Sequence, residues 1–237
     1  MPLTTVLFDL DDTLFDHTAT ARAALHASTA HLAFVAEVGL DELYRRYSEL
    51  LEEMHPRVLA GELSYHDARR LRFQQLLAPY GVLGSDAAAE EFAALHYDQY
   101  RRLRRPVPGA GALLDALKPR YRTGIVTNNR TAEQQDKLQF LGLTQLVDVL
   151  ITSEDVGATK PDPHIFQVAL EQLGAQPDEA VFVGDNWVAD VVGARNAGIR
   201  PVWLNRFGLA CPDAAVAVLT GLEPLPDVLC VIEVTTP

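Results

Sequence analysis

The chain has 237 residues, of which 48% are hydrophobic and 22% charged, the balance of an ordinary globular protein rather than a disordered or fibrous one. Its formal net charge of −12 argues against nucleic acid or an anionic membrane as the main partner, and no apolar run has the length of a bilayer span. Any anion site on this background needs local positive charge from a metal, a lysine or a helix N-terminus.

The first apolar run, residues 4–8, reads as a short buried strand, and no basic-then-apolar leader precedes it. Two late cysteines, Cys211 and Cys230, lack any metal-type spacing. The expectation is therefore a cytoplasmic protein with reduced thiols that serve packing. Residues 16–105 carry only helical signals, at 20–35, 40–54, 66–77 and 87–103, broken by Pro79-Tyr80-Gly81 and Gly84-Ser85.

After Pro106-Val107-Pro108-Gly109 the pattern alternates. Helices are predicted at 110–117, 132–141, 163–173 and 188–197, and strands at 123–127, 147–152, 180–183 and 201–204. Repeated αβ units with continuously apolar strands predict an α/β fold, a doubly wound, Rossmann-like parallel sheet covered on both faces. The first strand must join that sheet, since the helical block offers it no partner. The expected organisation is a core of residues 1–15 and 106–237 with an all-helical cap of residues 16–105 inserted. Residues 222–234, with prolines and a β-branched run, read as an edge strand without a function.

Polar residues recur at the ends of the core strands. Asp9 and Asp11 follow the first; Thr127, Asn128 and Asn129 follow the next. Lys160 lies in the loop after the third, and Asp185 follows the fourth with Asp190 five residues on. Strands running in parallel bring such ends to one crevice. Two neighbouring carboxylates repel unless a cation or a shared proton relieves them. Singly, each residue has an ordinary explanation: aspartates cap turns and helices, and most lysines are solvated. Their joint order is what gives them weight.

In that order and spacing, Asp9-x-Asp11-x-Thr13, Thr127, Lys160 and Gly184-Asp185-x4-Asp190 resemble the four motifs of the haloacid dehalogenase superfamily, and the helical insertion resembles the cap of its subfamily I. Asn stands in Thr127-Asn128-Asn129 where relatives often have Gly. The resemblance implies a phosphatase in which Asp9 attacks phosphorus and Asp11 serves as acid and base. It implies Mg²⁺ held by Asp9, the Asp11 carbonyl and Asp185, with Asp190 orienting that shell. Thr127, Asn128 and Lys160 would bind the phosphoryl group, and the cap would close over a small phosphorylated metabolite. The flank Leu14-Phe15-Asp16 and the run Gln134-Gln135-x2-Leu138-x2-Leu141-Gly142-Leu143 are similar to nucleoside 5′-monophosphatases and N-acylneuraminate-9-phosphatases.

Rivals on the same fold are a phosphosugar mutase and a haloacid dehalogenase; the latter needs neither a second acid nor Mg²⁺. A receiver-type phospho-acceptor module shares clustered Asp, Thr and Lys but needs no helical insertion and no acidic pair after the lysine. The basic run Arg101 to Arg105 is expected to be a solvated helix end. None of the seven histidines has metal-ligand spacing, and Trp187 is expected to pack.

Overall fold

The computed structural model describes residues 2–82 and 85–234. Two compact units emerge, Met1–Asp16 with Arg105–Pro237, and His17–Arg104. In chain order, β1 (Thr5–Phe8) is followed by five helices of the second unit: α1 (His17–Thr29), α2 (Val35–Val38), α3 (Leu40–Leu59), α4 (Tyr65–Leu77) and α5 (Asp86–Arg102). The first unit then continues with α6 (Ala110–Leu117), β2 (Arg122–Thr127), α7 (Thr131–Leu141), β3 (Val149–Thr152) and α8 (Ser153–Val156). It closes with α9 (Pro163–Leu173), β4 (Ala180–Gly184), α10 (Gly193–Asn196), β5 (Arg200–Leu204), β6 (Ala217–Leu219) and α11 (Leu225–Glu233).

The six strands among the described residues run parallel in the order β3-β2-β1-β4-β5-β6. The order reverses at β1, so β1 and its two neighbours flank the topological switch point. Phe8 lies beside Ile125 on one side and Val183 on the other, and Asp9 N–H continues the ladder to the Val183 carbonyl at 2.9 Å. The ends of β1, β2 and β4 thus fall within two residues of one another.

The strands are apolar on both faces because helices cover both: Val6, Leu7, Phe8, Ile125, Val126, Val181, Phe182 and Val183 are all fully buried. Helix α9 shows how the sequence builds this cover. Asp162 caps it, accepting from the His164 N–H at 2.9 Å, Pro163 opens it and Gly174 ends it in the left-handed conformation. Ile165, Phe166, Ala169, Leu170 and Leu173 then form one apolar face packed with Leu7, Val126 and Phe182. Burying the Phe166 ring alone contributes about 2–3 kcal/mol. At Gly124 a methyl group would lie 2.8 Å from Leu7 and 2.9 Å from Val149, so the close approach of β1, β2 and β3 requires glycine there.

Two parts of this unit depart from the sequence expectation. The helix predicted at 188–197 opens as a wider π-helical turn, Trp187–Val192, before α10. Residues 222–234 are not an edge strand: α11 occupies Leu225–Glu233, and the sheet edges are β3 and β6. Pro226 and Asp227 sit in the first turn of α11, where they favour a helix, while Val228 and Ile232, four residues apart, are buried.

In the second unit, Ser64 and Ser85 cap α4 and α5 by accepting from Asp67 N–H at 3.0 Å and Ala88 N–H at 3.2 Å. The helix predicted at 20–35 starts earlier and stops at Thr29, where the Ser28 and Thr29 hydroxyls donate back to the Ala24 and Leu25 carbonyls, each at 2.7 Å. Helix α3 runs beyond the predicted residue 54, through Pro56 to Leu59, because Val58 buries against Met54 and Ala68. Tyr47, Phe73, Phe92 and His96 form the unit's aromatic centre, with ring centroids 4.7–5.8 Å apart for the adjoining pairs. Gly84, predicted as a break, lies outside the described residues. Cys211 and Cys230 are free and exposed, so neither serves packing. Among the described residues no helix is long and apolar enough to cross a membrane.

Candidate active site

The loop leaving β1 turns sharply. Leu14 and Phe15 N–H both donate to the Leu10 carbonyl at 2.9 Å, and Asp12 takes a left-handed conformation with φ 61°. Aspartate tolerates that region better than most residues. Arg206, just past β5, pins the turn by donating to the Asp12 carbonyl at 3.1 Å and pairing with Asp16 at 3.0 Å; Arg105 holds the other Asp16 oxygen at 3.3 Å.

Asp9 is 6% exposed. The Lys160 ammonium, itself buried, donates to Asp9 Oδ1 and to Asp190 Oδ1, both at 2.7 Å. The second Asp190 oxygen accepts from the Asn186 N–H at 2.9 Å. A methyl group at Gly184 would overlap the Asp190 carboxyl, which is why the strand ends on glycine there. Lys160 is in turn set by Asn128, whose amide clasps the lysine backbone from both sides: Lys160 N–H donates to Oδ1 at 2.7 Å, and Nδ2 donates to the Lys160 carbonyl at 2.9 Å. The Asn128 side chain is committed to that clasp, which leaves the Asn128 backbone N–H, the group expected to bind the phosphoryl oxygens, for a ligand.

The acids outnumber the nearby cation. Carboxylate oxygens of Asp9, Asp185 and Asp190 lie within 4.8 Å of one another. Burial, reinforced by Asp190 and Asp11 against the opposing pull of Lys160, pushes Asp9 up to about 7. Burial and the charges of Asp9 and Asp190 push Asp185 up to about 9. For Lys160, burial pulls downward, but Asp190 and Asp9 outweigh it and hold the ammonium above its ordinary value. One lysine does not neutralise three clustered carboxyls, of which Asp9 and Asp190 are buried and Asp185 half-buried. A hard divalent cation with oxygen ligands fits this donor set and would relieve the excess. Trp203 Nε1 donates to the Asp185 carbonyl at 2.7 Å, and the Trp203 ring meets Trp187 edge-on at 5.0 Å, the packing expected for Trp187.

The Asp11 side chain lies in a separate set of donors. Lys137 donates to its two oxygens at 2.6 and 2.9 Å, Gln134 Nε2 at 3.1 Å and Asn129 Nδ2 at 3.3 Å. Thr127, at the end of β2, accepts from the same Gln134 Nε2 at 2.7 Å. The fold therefore gathers Asp9, Lys160, Asp185 and Asp190 into one cluster, while the Asp11 carboxylate and Thr127 share a second cluster around Gln134. Sequence patterns do not mark Lys137, Gln134 or Arg206 as site residues. Arg206 carries a usable signal, since it follows the fifth core strand as the other polar residues follow theirs. Lys137 carries none beyond its place three residues after Gln134 on a helix.

The family model described as haloacid dehalogenase-like hydrolase matches residues 3–198. The chain is 31% identical over 211 residues to a glyceraldehyde 3-phosphate phosphatase of Methanothermobacter thermautotrophicus, covering 86% of each protein. It is 40% identical over 129 residues to the pyrimidine 5′-nucleotidase YjjG of Escherichia coli, covering 53% of this chain and 57% of that one. Among solved structures, the putative HAD-hydrolase YfnB of Bacillus subtilis, bound to magnesium, superposes with a TM-score of 0.76 at 23% identity, over 97% of this chain and 99% of that one.

Proposed function

This chain belongs to the haloacid dehalogenase-like hydrolases, and from that premise we propose that it hydrolyses a small phosphomonoester through an aspartyl-phosphate on Asp9. One observation carries the reading: a buried carboxylate at the switch point of the sheet is held by a buried lysine, with a second carboxylate two residues on, at Asp11. A nucleophile needs the first arrangement, and an alcohol leaving group needs the second. A dehalogenase requires no proton donor for a departing halide and has no use for the acidic excess around Asp185. The phosphatase names of the relatives support the same choice.

The reaction balances over two steps. An Asp9 oxygen attacks phosphorus, the ester P–O bond breaks, and the departing oxygen takes the proton of the Asp11 carboxyl. Water then attacks the phosphoaspartate and gives a proton to Asp11. The P–O bond to Asp9 breaks, releasing phosphate and restoring the carboxylate. Lys160 offsets the charge that collects on Asp9 and the transferring group, and the Thr127 hydroxyl with neighbouring N–H groups orients the phosphoryl oxygens. Asp9, the Asp11 carbonyl and Asp185 would hold Mg²⁺, with Asp190 ordering the shell; when bound, Mg²⁺ supplies charge neutralisation and Lewis acidity at phosphorus.

For the substrate, the segment shared with the pyrimidine nucleotidase supports a nucleoside 5′-monophosphate, and the longer match to the triose phosphatase supports a three-carbon phosphate. A phosphate-release screen with Mg²⁺ over both groups decides between them. Asp9→Asn is expected to lower release by about 10⁴-fold or more, the scale of losing a covalent nucleophile, and EDTA to stop it in the wild type. Substantial turnover by the Asn variant would sink the nucleophile, and activity that survives EDTA would sink the metal.

A further inference from the structure

Lys137 is a buried lysine that the reaction above does not use. Its side chain is 2% exposed, and its ammonium lies 5.0 Å from the centre of the Phe15 ring. Burying a lysine is costly unless an anion offsets the lost hydration, and here the anion is Asp11, held at both oxygens. Gln134, one turn earlier on α7, is fully buried. Its Nε2 bridges Asp11 and Thr127 while its Oε1 finds no partner among the described residues. An unpaired buried carbonyl costs about 1–3 kcal/mol, so the amide is oriented for what its nitrogen holds.

We propose that Lys137, seconded by Gln134, is a positioning residue that fixes the Asp11 carboxyl for proton transfer with the leaving group and with water. The inference rests on the phosphatase reading and names which part of α7 serves it. A free aspartate at a loop can rotate through several staggered conformers; two donors one helical turn apart leave Asp11 one of them. Because Gln134 also holds Thr127, a single rigid helix sets the acid–base group and a phosphoryl contact relative to each other. When the Asp11 proton departs, the charge left on its oxygens meets the Lys137 ammonium already in place, with no reorganisation needed.

The test separates this role from a structural one by the leaving group. A 4-nitrophenolate departs readily without a proton, whereas phenolate departs far less readily without one. Wild type, Lys137→Met, Lys137→Arg and Asp11→Asn are compared by kcat/KM with 4-nitrophenyl phosphate and phenyl phosphate in saturating Mg²⁺, after circular dichroism confirms folding. Lys137→Met is expected to lose at least about tenfold more on phenyl phosphate than on 4-nitrophenyl phosphate, part of the contribution of a general acid. Lys137→Arg is expected to recover most of that gap, and Asp11→Asn to show a gap at least as large. Equal losses on the two esters, or no loss, overturn the positioning role. A gap that Lys137→Arg fails to narrow also overturns it. If the wild type releases phosphate from neither ester nor from any phosphate in the screen, the phosphatase reading itself falls.

Discussion

The sheet end of the first unit and the interior of the second both bury titratable groups, with opposite consequences for pH. Around Asp9, burial raises carboxyls: Asp9 to about 7 and Asp185 to about 9, from an ordinary value of 3.8. In the helical unit, burial lowers a histidine: His96, packed against Tyr47 and Phe73, falls from 6.5 to about 3, with Arg72 and Arg69 reinforcing the effect. A raised carboxyl stabilises the fold below its unfolded value, and that stability is lost as pH rises through the folded value. A depressed histidine stabilises the fold above its unfolded value, and that stability is lost as pH falls toward the folded one. Acid crowding in one unit has been retained against stability, as at a site of chemistry. In the other, a neutral histidine simply fills an aromatic core.

The largest effect on this contrast comes from Lys160→Met. It leaves Asp9 and Asp190 buried with no cation, and removing one partner of a buried ion pair costs about 3–5 kcal/mol. Phosphate release should fall by about 10²–10³-fold, the scale of losing an electrostatic stabiliser. A variant with wild-type melting and turnover would show that the three clustered acids do not depend on it.

A smaller effect is expected from pH alone. Both tryptophans, Trp187 and Trp203, lie in the first unit, so their fluorescence follows the melting of that unit. Without divalent cations, its midpoint should fall as pH rises from about 4 to about 9, the window set by Asp9 and Asp185. Added Mg²⁺ should raise the midpoint more at the alkaline end, where the acids are ionised, than at the acid end. A Mg²⁺ shift of the same size at both ends would break the assignment of the acids as its ligands.

The smallest effect is expected from His96→Phe. The His96 Nε2 has no partner among the described residues, while the ring also bonds the Ala21 backbone, so a phenyl ring of similar shape should change stability at neutral pH by about 1 kcal/mol, the scale of that one bond. Below about pH 6.5 the variant should hold its helical circular dichroism better than the wild type, because the histidine no longer draws protons to the unfolded chain. If both lose helicity over the same acid range, His96 does not set the acid limit of the helical unit.

Much of the fold was legible because its signals are local. An apolar strand bounded by polar residues announces itself over five residues, and the alternation of such strands with amphipathic helices sufficed for the parallel sheet. The tail misled for the same reason. Pro224, Pro226 and the run Val231-Ile232 read as breakers and a strand, while the deciding feature was the face that Val228 and Ile232 bury together. The length of α3 was likewise decided by the packing of Val58, which outweighs the helix-breaking tendency of Pro56.

For the candidate site the division is sharper. The sequence by itself determined that Asp9, Asp11, Thr127 and Asp185 lie at or just beyond strand ends, since each follows an apolar run, and that Lys160 and Asp190 come in the segments after the third and fourth core strands. Only the tertiary structure decided which charges meet. Lys160 reaches Asp9 across 151 residues, Lys137 reaches Asp11 across 126, and Arg206 reaches the Asp12 carbonyl across 194. Helical periodicity places a residue on a face of α7, yet it does not say what that face opposes. The pairing of a buried lysine depends on strand order and on the path of the loop after β1, which local patterns do not contain.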